Sequence, residues 1–247
     1  MLKPNYNSPF LGVDKNPLGA TILASIRSSR KDFAFTLAEV LITLGIIGIV
    51  AAMVIPSLLS SYKKRYTETR LKKAFAVMAQ LYKLSYNDLG DPGTQYKKKA
   101  KEYTMNYFVP YMNVAKVCTT YKDCGYQSLT PFLLSTGKKS DTKLFLQNTR
   151  QPLYDNQNIL YVIFTATTSQ ATPTTTVMVD INRGDKPNMI GNDVFLFTRK
   201  DDGTLAACGY ELSDSEIKDN CKTKGSYCAE LIRRNNWKIP NDYPIKF

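Results

Sequence analysis

Along the chain the spacing of apolar residues changes character several times. Residues 1–34 keep no period: Pro4, Pro9 and Pro17 break up Asn- and Ser-rich stretches, and Lys3, Lys15, Arg27, Arg30 and Lys31 outnumber Asp14 and Asp32. That pattern predicts a basic leader outside the fold. From Val40 to Ser61 run 22 residues without a charge. As a helix they span roughly 33 Å at 1.5 Å per residue, about the thickness of a bilayer's hydrocarbon layer. Then Leu71, Phe75, Met78, Tyr82 and Leu89 recur at helical spacing, with Ala74, Leu81 and Ser85 on or beside the same face. This predicts an amphipathic helix with one face for a core. Gly90-Asp91-Pro92-Gly93 should stop it. Only Pro56 interrupts the two stretches, so a single helix over about 35–89 is expected, kinked or loosened at Pro56.

Residues 96–116 are expected to hold a short helix with Tyr103, Tyr107 and Phe108 inward, ending near Pro110. After residue 150 the rhythm shortens. I-L-Y-V-I-F-T-A-T-T (159–168), T-T-T-V-M-V-D-I-N (174–182) and D-V-F-L-F-T-R (193–199) are β-branched and aromatic runs and read as strands. A turn over 169–173 joins the first two, and D-D-G-T-L (201–205) turns into a further short strand. K-G-S-Y-C-A-E-L-I-R-R-N-N-W-K (224–238) reads as a closing helix, with Leu231 and Ile232 inward and Trp237 anchoring the end. The fold class is α+β: a long N-terminal helix packed on a small antiparallel sheet. The expected divisions are a leader at 1–34, a membrane helix at 35–61, its amphipathic continuation at 62–89 and a globular part at 90–247.

Composition removes several chemistries. With no His, Ser-His-Asp, Cys-His and His-ligated zinc sites are excluded. No nucleophile–base constellation or phosphate loop is evident, which argues against catalysis. The net charge of +12 suits anionic partners without naming one. The basic runs Lys63-Lys64-Arg65, Lys97-Lys98-Lys99 and Arg233-Arg234 read as solvated faces, so nucleic acid is not an expected partner. Five cysteines contain no C-x-x-C. Proximity pairs Cys118 with Cys124 and Cys221 with Cys228, leaving Cys208 unpaired, if the domain lies in an oxidising compartment; the alternative is five reduced thiols.

One charge interrupts the start of the apolar stretch. Glu39 lies where a charge costs about 2.5–3.5 kcal/mol on insertion scales, so it calls for a partner. F-A-F-T-L-A-E-V (33–40) resembles the N-terminal signature of type IV pilins and type II secretion pseudopilins. The resemblance implies a prepilin peptidase cutting between Ala34 and Phe35, N-methylation at Phe35, and Glu39 as fifth residue of the mature chain. Ala34 stands where the family usually has Gly, and the leader is long for the family. Glu39 would neutralise the amine of its own or a neighbouring subunit's Phe35. Gly48 and Pro56 fall where such helices carry Gly and Pro, and Gly48 with Ala52 allows close helix approach. The implied partners are the lipid bilayer, other pilin-like subunits and an inner-membrane assembly platform. The implied location is the bacterial inner membrane, single-pass, with the leader cytoplasmic and the C-terminal part outside, followed by a filament. The rival readings are a DNA-binding minor pilin and a membrane-anchored periplasmic enzyme.

D-I-N-R-G-D-K-P-N-M-I-G-N-D-V-F (180–195) and W-K-I-P-N-D-Y-P (237–244) resemble segments of bacterial pseudopilin-like proteins that read D-x-N-G-x-K-x-P-N-x-x-G-x-D-x-F. Arg183 replaces the Gly, and Gly184 stands one place later. Asp180, Asn182, Asp185, Asn188 and Asp193 offer oxygens suited to Ca²⁺, which some major pseudopilins bind in a C-terminal loop. The loop is not an EF-hand, because Gly191 stands in place of the closing Glu. The alternative is a polar Asx-rich connection between two strands.

Overall fold

The computed structural model describes residues 35–91, 96, 98–165, 176–200 and 202–247. The leader with Ala34, the Pro92–Gly93 stop, Lys97, the 169–173 turn and Asp201 lie outside the described residues. Two units are distinguished, with the division between Ile49 and Val50.

The first unit holds the start of helix α1, which runs Leu37–Leu89 (53 residues). Its Leu41, Ile42, Leu44, Ile46, Ile47 and Ile49 are each more than half exposed. Such a surface is unfavourable in water, and its length suits a bilayer or a bundle of similar helices.

In the second unit α1 continues helical through Pro56 and buries Thr67, Leu71, Ala74, Met78, Leu81, Tyr82 and Ser85. The steps of three and four keep one stripe against the core. The predicted face needs two corrections. Phe75 sits at the stripe's edge, its ring 5.5 Å from Phe197 and 4.9 Å from Trp237. Leu89 is 49% exposed, because the buried stripe ends at Ser85, a turn before the helix does.

The helical stretch after Gly90 is shorter than expected: α2 (Ala100–Tyr103), a π turn (Thr104–Phe108) and a 3-10 turn (Val109–Tyr111) that contains Pro110. Tyr103, Tyr107 and Phe108 are buried. The helical path ends near Pro110 as expected; Met112 is extended, and β1 (Val114–Val117) follows, a strand the sequence pattern did not predict. The proline ends the helical path and two β-branched valines suit a strand.

Five more strands complete the sheet: β2 (Arg150–Asp155), β3 (Leu160–Phe164), β4 (Thr176–Asp180), β5 (Val194–Arg199) and β6 (Leu205–Ala207). They form a six-stranded antiparallel sheet in sequence order, β1 to β6. β2 contains Pro152, unusual for a strand paired on both sides. The Pro152 carbonyl accepts the Cys118 N–H at 3.0 Å, but its nitrogen cannot return a bond to the Cys118 carbonyl. The Gln151 side chain supplies that donor instead, Nε2 to the Cys118 carbonyl at 2.7 Å.

The sheet is buried on both faces. Leu153, Tyr161, Ile163, Val177, Val179, Phe195 and Phe197 pack with α1 in one cluster. Their alternating neighbours Tyr154, Leu160, Val162, Met178 and Val194 pack under Cys118, Cys124, Tyr126, Phe132 and Leu144 from the irregular segment that precedes β2. Two-sided burial makes the strands near-continuous apolar runs, as parallel sheets usually are, although this one is antiparallel.

Two helices close the domain, α3 (Asp214–Thr223) and α4 (Cys228–Arg234). Ser213 caps α3 in a capping box with Glu216: Ser213 N–H donates to Glu216 Oε2 at 2.9 Å, and Glu216 N–H to Ser213 Oγ at 3.4 Å. α4 is shorter than the helix predicted over 224–238, because Gly225 precedes it and Asn236 and Trp237 come after it with positive φ. Ile232 is buried, and Leu231 and Trp237 are partly so. Glu230 is fully buried and accepts both Arg233 (2.6 and 2.7 Å) and Arg234 (2.8 Å). Arg234 also donates to the Tyr210 and Leu212 carbonyls, which ties α4 to the chain entering α3. Disulfides join Cys118 to Cys124 and Cys221 to Cys228. Cys208 is unpaired, and burial pushes its thiol up to about 12, which keeps it unreactive near neutral pH.

Candidate functional site

The start of α1 is organised by two side chains. Thr36 N–H donates to Glu39 Oε2 at 2.8 Å, and the Thr36 hydroxyl to the same oxygen at 2.9 Å. Glu39 N–H returns a bond to Thr36 Oγ1 at 3.2 Å. This is a capping box, T-x-x-E, with Glu39 as third helical residue. The motif T-L-A-E is legible in the sequence, yet the apolar run around Glu39 masks it. The carboxylate satisfies helix-terminal donors and complements the positive end of the helix dipole. It also lies beside Phe35, which is 81% exposed.

Further along, the apolar run meets its own polar needs. Thr43 Oγ1 donates to the Val40 carbonyl at 3.0 Å and Ser57 Oγ to the Val54 carbonyl at 2.9 Å. Neither hydroxyl requires a partner from outside the helix. Between Phe35 and Ser61 Glu39 is then the one charge. A methyl added at Gly45 or Gly48 would meet nothing within 4 Å. No described residue requires glycine there.

The second cluster is the Asx-rich connection between β4 and β5. Asp180 is buried and accepts the Tyr126 hydroxyl (2.5 Å) and the N–H groups of Asn182 and Gly184 (3.1 Å each). Asp193, also buried, accepts Asn182 Nδ2 (3.1 Å) and the N–H groups of Asn188 (2.9 Å) and Met189 (2.6 Å). Burial raises Asp180 to about 6 against the pull of these donors. Burial, then the charge of Asp180, raises Asp193 to about 7. Burial and the Asp180 charge push the Tyr126 phenol well above its usual range. Arg183 adopts φ +61°, the left-handed conformation that glycine favours, and its guanidinium lies 4.9 Å from the Tyr154 ring centre.

Of the five oxygen donors singled out for calcium, Asp180, Asn182, Asn188 and Asp193 share this hydrogen-bonded loop, and Asp185 is exposed on it. All four carboxylate oxygens of Asp180 and Asp193 already accept N–H or O–H groups. Asn182 Oδ1 and Asn188 Oδ1 are buried and accept nothing among the described residues. Those two amide oxygens and the exposed Asp185 carboxylate fall short of the six to eight that calcium takes. Among the described residues no group of three or more His, Cys, Asp or Glu is arranged to hold a metal. The geometry fits the Asx-rich connection: carboxylates turned inward to hold backbone N–H groups.

Comparison with known proteins bears on both regions. Residues 57–247 match the model of a family of unknown function, DUF6613. Residues 29–55 match the prokaryotic N-terminal methylation motif, and the match takes in Phe35, Glu39 and Gly48. No curated protein and no solved structure matches the chain.

Proposed function

The chain belongs to the family of unknown function DUF6613 and carries a prepilin-type N-terminus on a pilin-like α+β fold, and from this we propose that it is a structural subunit of a filament. The motif implies processing by a prepilin peptidase, and the helix behind it implies anchoring in the inner membrane before assembly. In our reading cleavage falls between Ala34 and Phe35, and Phe35 is N-methylated. The subunit then leaves the bilayer through an inner-membrane assembly platform and joins other pilin-like subunits in a type II secretion or type IV pilus-like filament.

One observation carries this reading. None of residues 40–61 is buried, and Glu39 is the one charge between Phe35 and Ser61. A helix so exposed needs lipid first, and neighbouring helices once lipid is gone. The open flanks of Gly45 and Gly48 give such neighbours room. Pilin-like families are typically not enzymes, and the structural role accords with that. Intact-mass analysis of protein from its native host, with an active prepilin peptidase, tests the proposal. The expected mature chain begins at Phe35 and carries one added methyl group. Assembled filaments whose subunits retain residues 1–34 would refute it.

A further inference from the structure

The uncharged run ends at Ser61, and the chain continues as Tyr62-Lys63-Lys64-Arg65-Tyr66. If Ser61 marks the edge of the hydrocarbon, Tyr62 and Tyr66 lie about 1.5 and 7.5 Å further along the helix. A headgroup layer is roughly 5–7 Å deep on each side of the bilayer. This turn of α1 therefore crosses the layer in which tyrosine rings and basic side chains are enriched.

A cavity of about 580 Å³ opens at this level in the second unit. Tyr62, Lys63 and Tyr66 form one wall, and Lys186, Lys246 and Asp185 line it from segments far away in sequence. The Tyr62 and Tyr66 rings stack at 6.3 Å, and Tyr62 is 65% exposed. Lys63, Lys186 and Lys246 are exposed and take part in no ion pair among the described residues. Two acids face the same cavity. Asp193 is turned inward on Asn182, Asn188 and Met189, so Asp185 is the outward one. Three cations against one outward carboxylate, beside two aromatic rings, suit a phosphate carried on an apolar body.

We propose that this cavity is a binding site for the headgroup of an anionic phospholipid, held while the subunit is in the membrane. Lys63, Lys186 and Lys246 take the phosphate, and the Tyr62 and Tyr66 rings cover the glycerol backbone where the acyl chains begin. Lys186 and Lys246 stand in the loop and tail that pack beside the helix exit, so the lipid clamps the folded domain to the membrane surface. The site also accounts for a charge pattern that runs against the usual bias. Six basic residues (Lys63, Lys64, Arg65, Arg70, Lys72, Lys73) come after the span on its outer side, where Lys and Arg are normally sparse.

The inference rests on residues 40–61 being the membrane span, and the test separates the two claims. The full chain is reconstituted at low protein density in vesicles of phosphatidylcholine alone or mixed with phosphatidylglycerol. A membrane-impermeant amine reagent then labels lysines, and labelling is normalised to the exposed Lys138 of the same molecules. Phosphatidylglycerol should lower labelling at Lys63, Lys186 and Lys246 about fivefold, the factor for one cation at an anionic surface. A K63Q/K186Q/K246Q variant should lose its preference for co-purifying phosphatidylglycerol over phosphatidylcholine by on the order of a hundredfold, three such factors together. Equal labelling in the two vesicles, or unchanged lipid preference in the variant, overturns the site. Protection that rises with protein density in either lipid assigns the cavity to a second copy of the chain and overturns it too. A chain that floats with neither vesicle overturns the membrane span and the site together.

Discussion

Glu39 answers two demands with one carboxylate. Through Thr36 it closes the first turn of α1. In the mature chain we propose, its charge would meet the positive amine of Phe35. Glutamine also completes a capping box, so Glu39→Gln keeps the helix start and removes only the charge. We expect this variant to insert into the membrane normally and to yield few or no filaments in a sheared-pilus fraction. A normal yield would confine Glu39 to capping. At the two buried acids of the β4–β5 connection, protonation bears on stability. Asp180 and Asp193 sit near 6 and 7 when folded, above their unfolded range, so the folded chain holds protons that the unfolded chain releases from about pH 4 upward. Their contribution is complete below about pH 4 and is lost as the pH rises through 6 to 7. The melting temperature of the full chain in detergent is accordingly expected to fall between pH 5 and 8. A rise over that interval would show that the surrounding N–H donors outweigh desolvation.

At the scale of elements, the sheet explains what the sequence made legible and what it hid. β3, β4 and β5 are plain in the sequence because Leu160–Ile163, Val177–Val179 and Val194–Phe197 are apolar on both faces. β2 is hidden by Pro152 and by the polar Arg150 and Gln151, residues that argue against a central strand. What rescues it is tertiary: the Gln151 amide replaces the missing N–H. Gln151→Ala should leave the buried end of that ladder short of a donor, at a cost of about 1–3 kcal/mol. At about 2–4 °C per kcal/mol for a domain of this size, the melting temperature should drop by several degrees. An unchanged melting curve would mean that another donor reaches the Cys118 carbonyl. α3 was legible in principle, since S-D-S-E (213–216) spells its capping box, but its short and mostly polar run hid it. The cover of the second sheet face was not legible. Tyr126, Phe132 and Leu144 are scattered through a segment without period, and only the fold brings them together. The β4–β5 connection shows the same limit: spacing gathers its oxygens but does not reveal that Asp180 and Asp193 turn inward onto N–H and O–H donors.

At the scale of the whole molecule, the exposed apolar helix and the buried two-faced sheet obey one rule with opposite results. The sheet finds its apolar cover within the chain, and the helix must find it elsewhere. The strand order has a further consequence if the domain is exported as proposed. Each strand lies beside its predecessor in sequence, so a domain that crosses the membrane from its N-terminal side can add every new strand to an edge that has already arrived. Among the described strands each waits only for the next one, and the long wait is that of β1 for β2, across the irregular segment between them. The core waits also for the end of the chain, since Ile239 and Ile245 are buried in the same cluster as Leu71 and Met78. A chain ending at Asn236 is therefore expected to be degraded outside the membrane while the full chain survives; equal survival in a pulse-chase would show that the core closes without its tail. For a domain exported as we propose, delivery would pace folding, and the interval between the arrival of β6 and that of Ile245 would be when the newborn domain is most open to proteases.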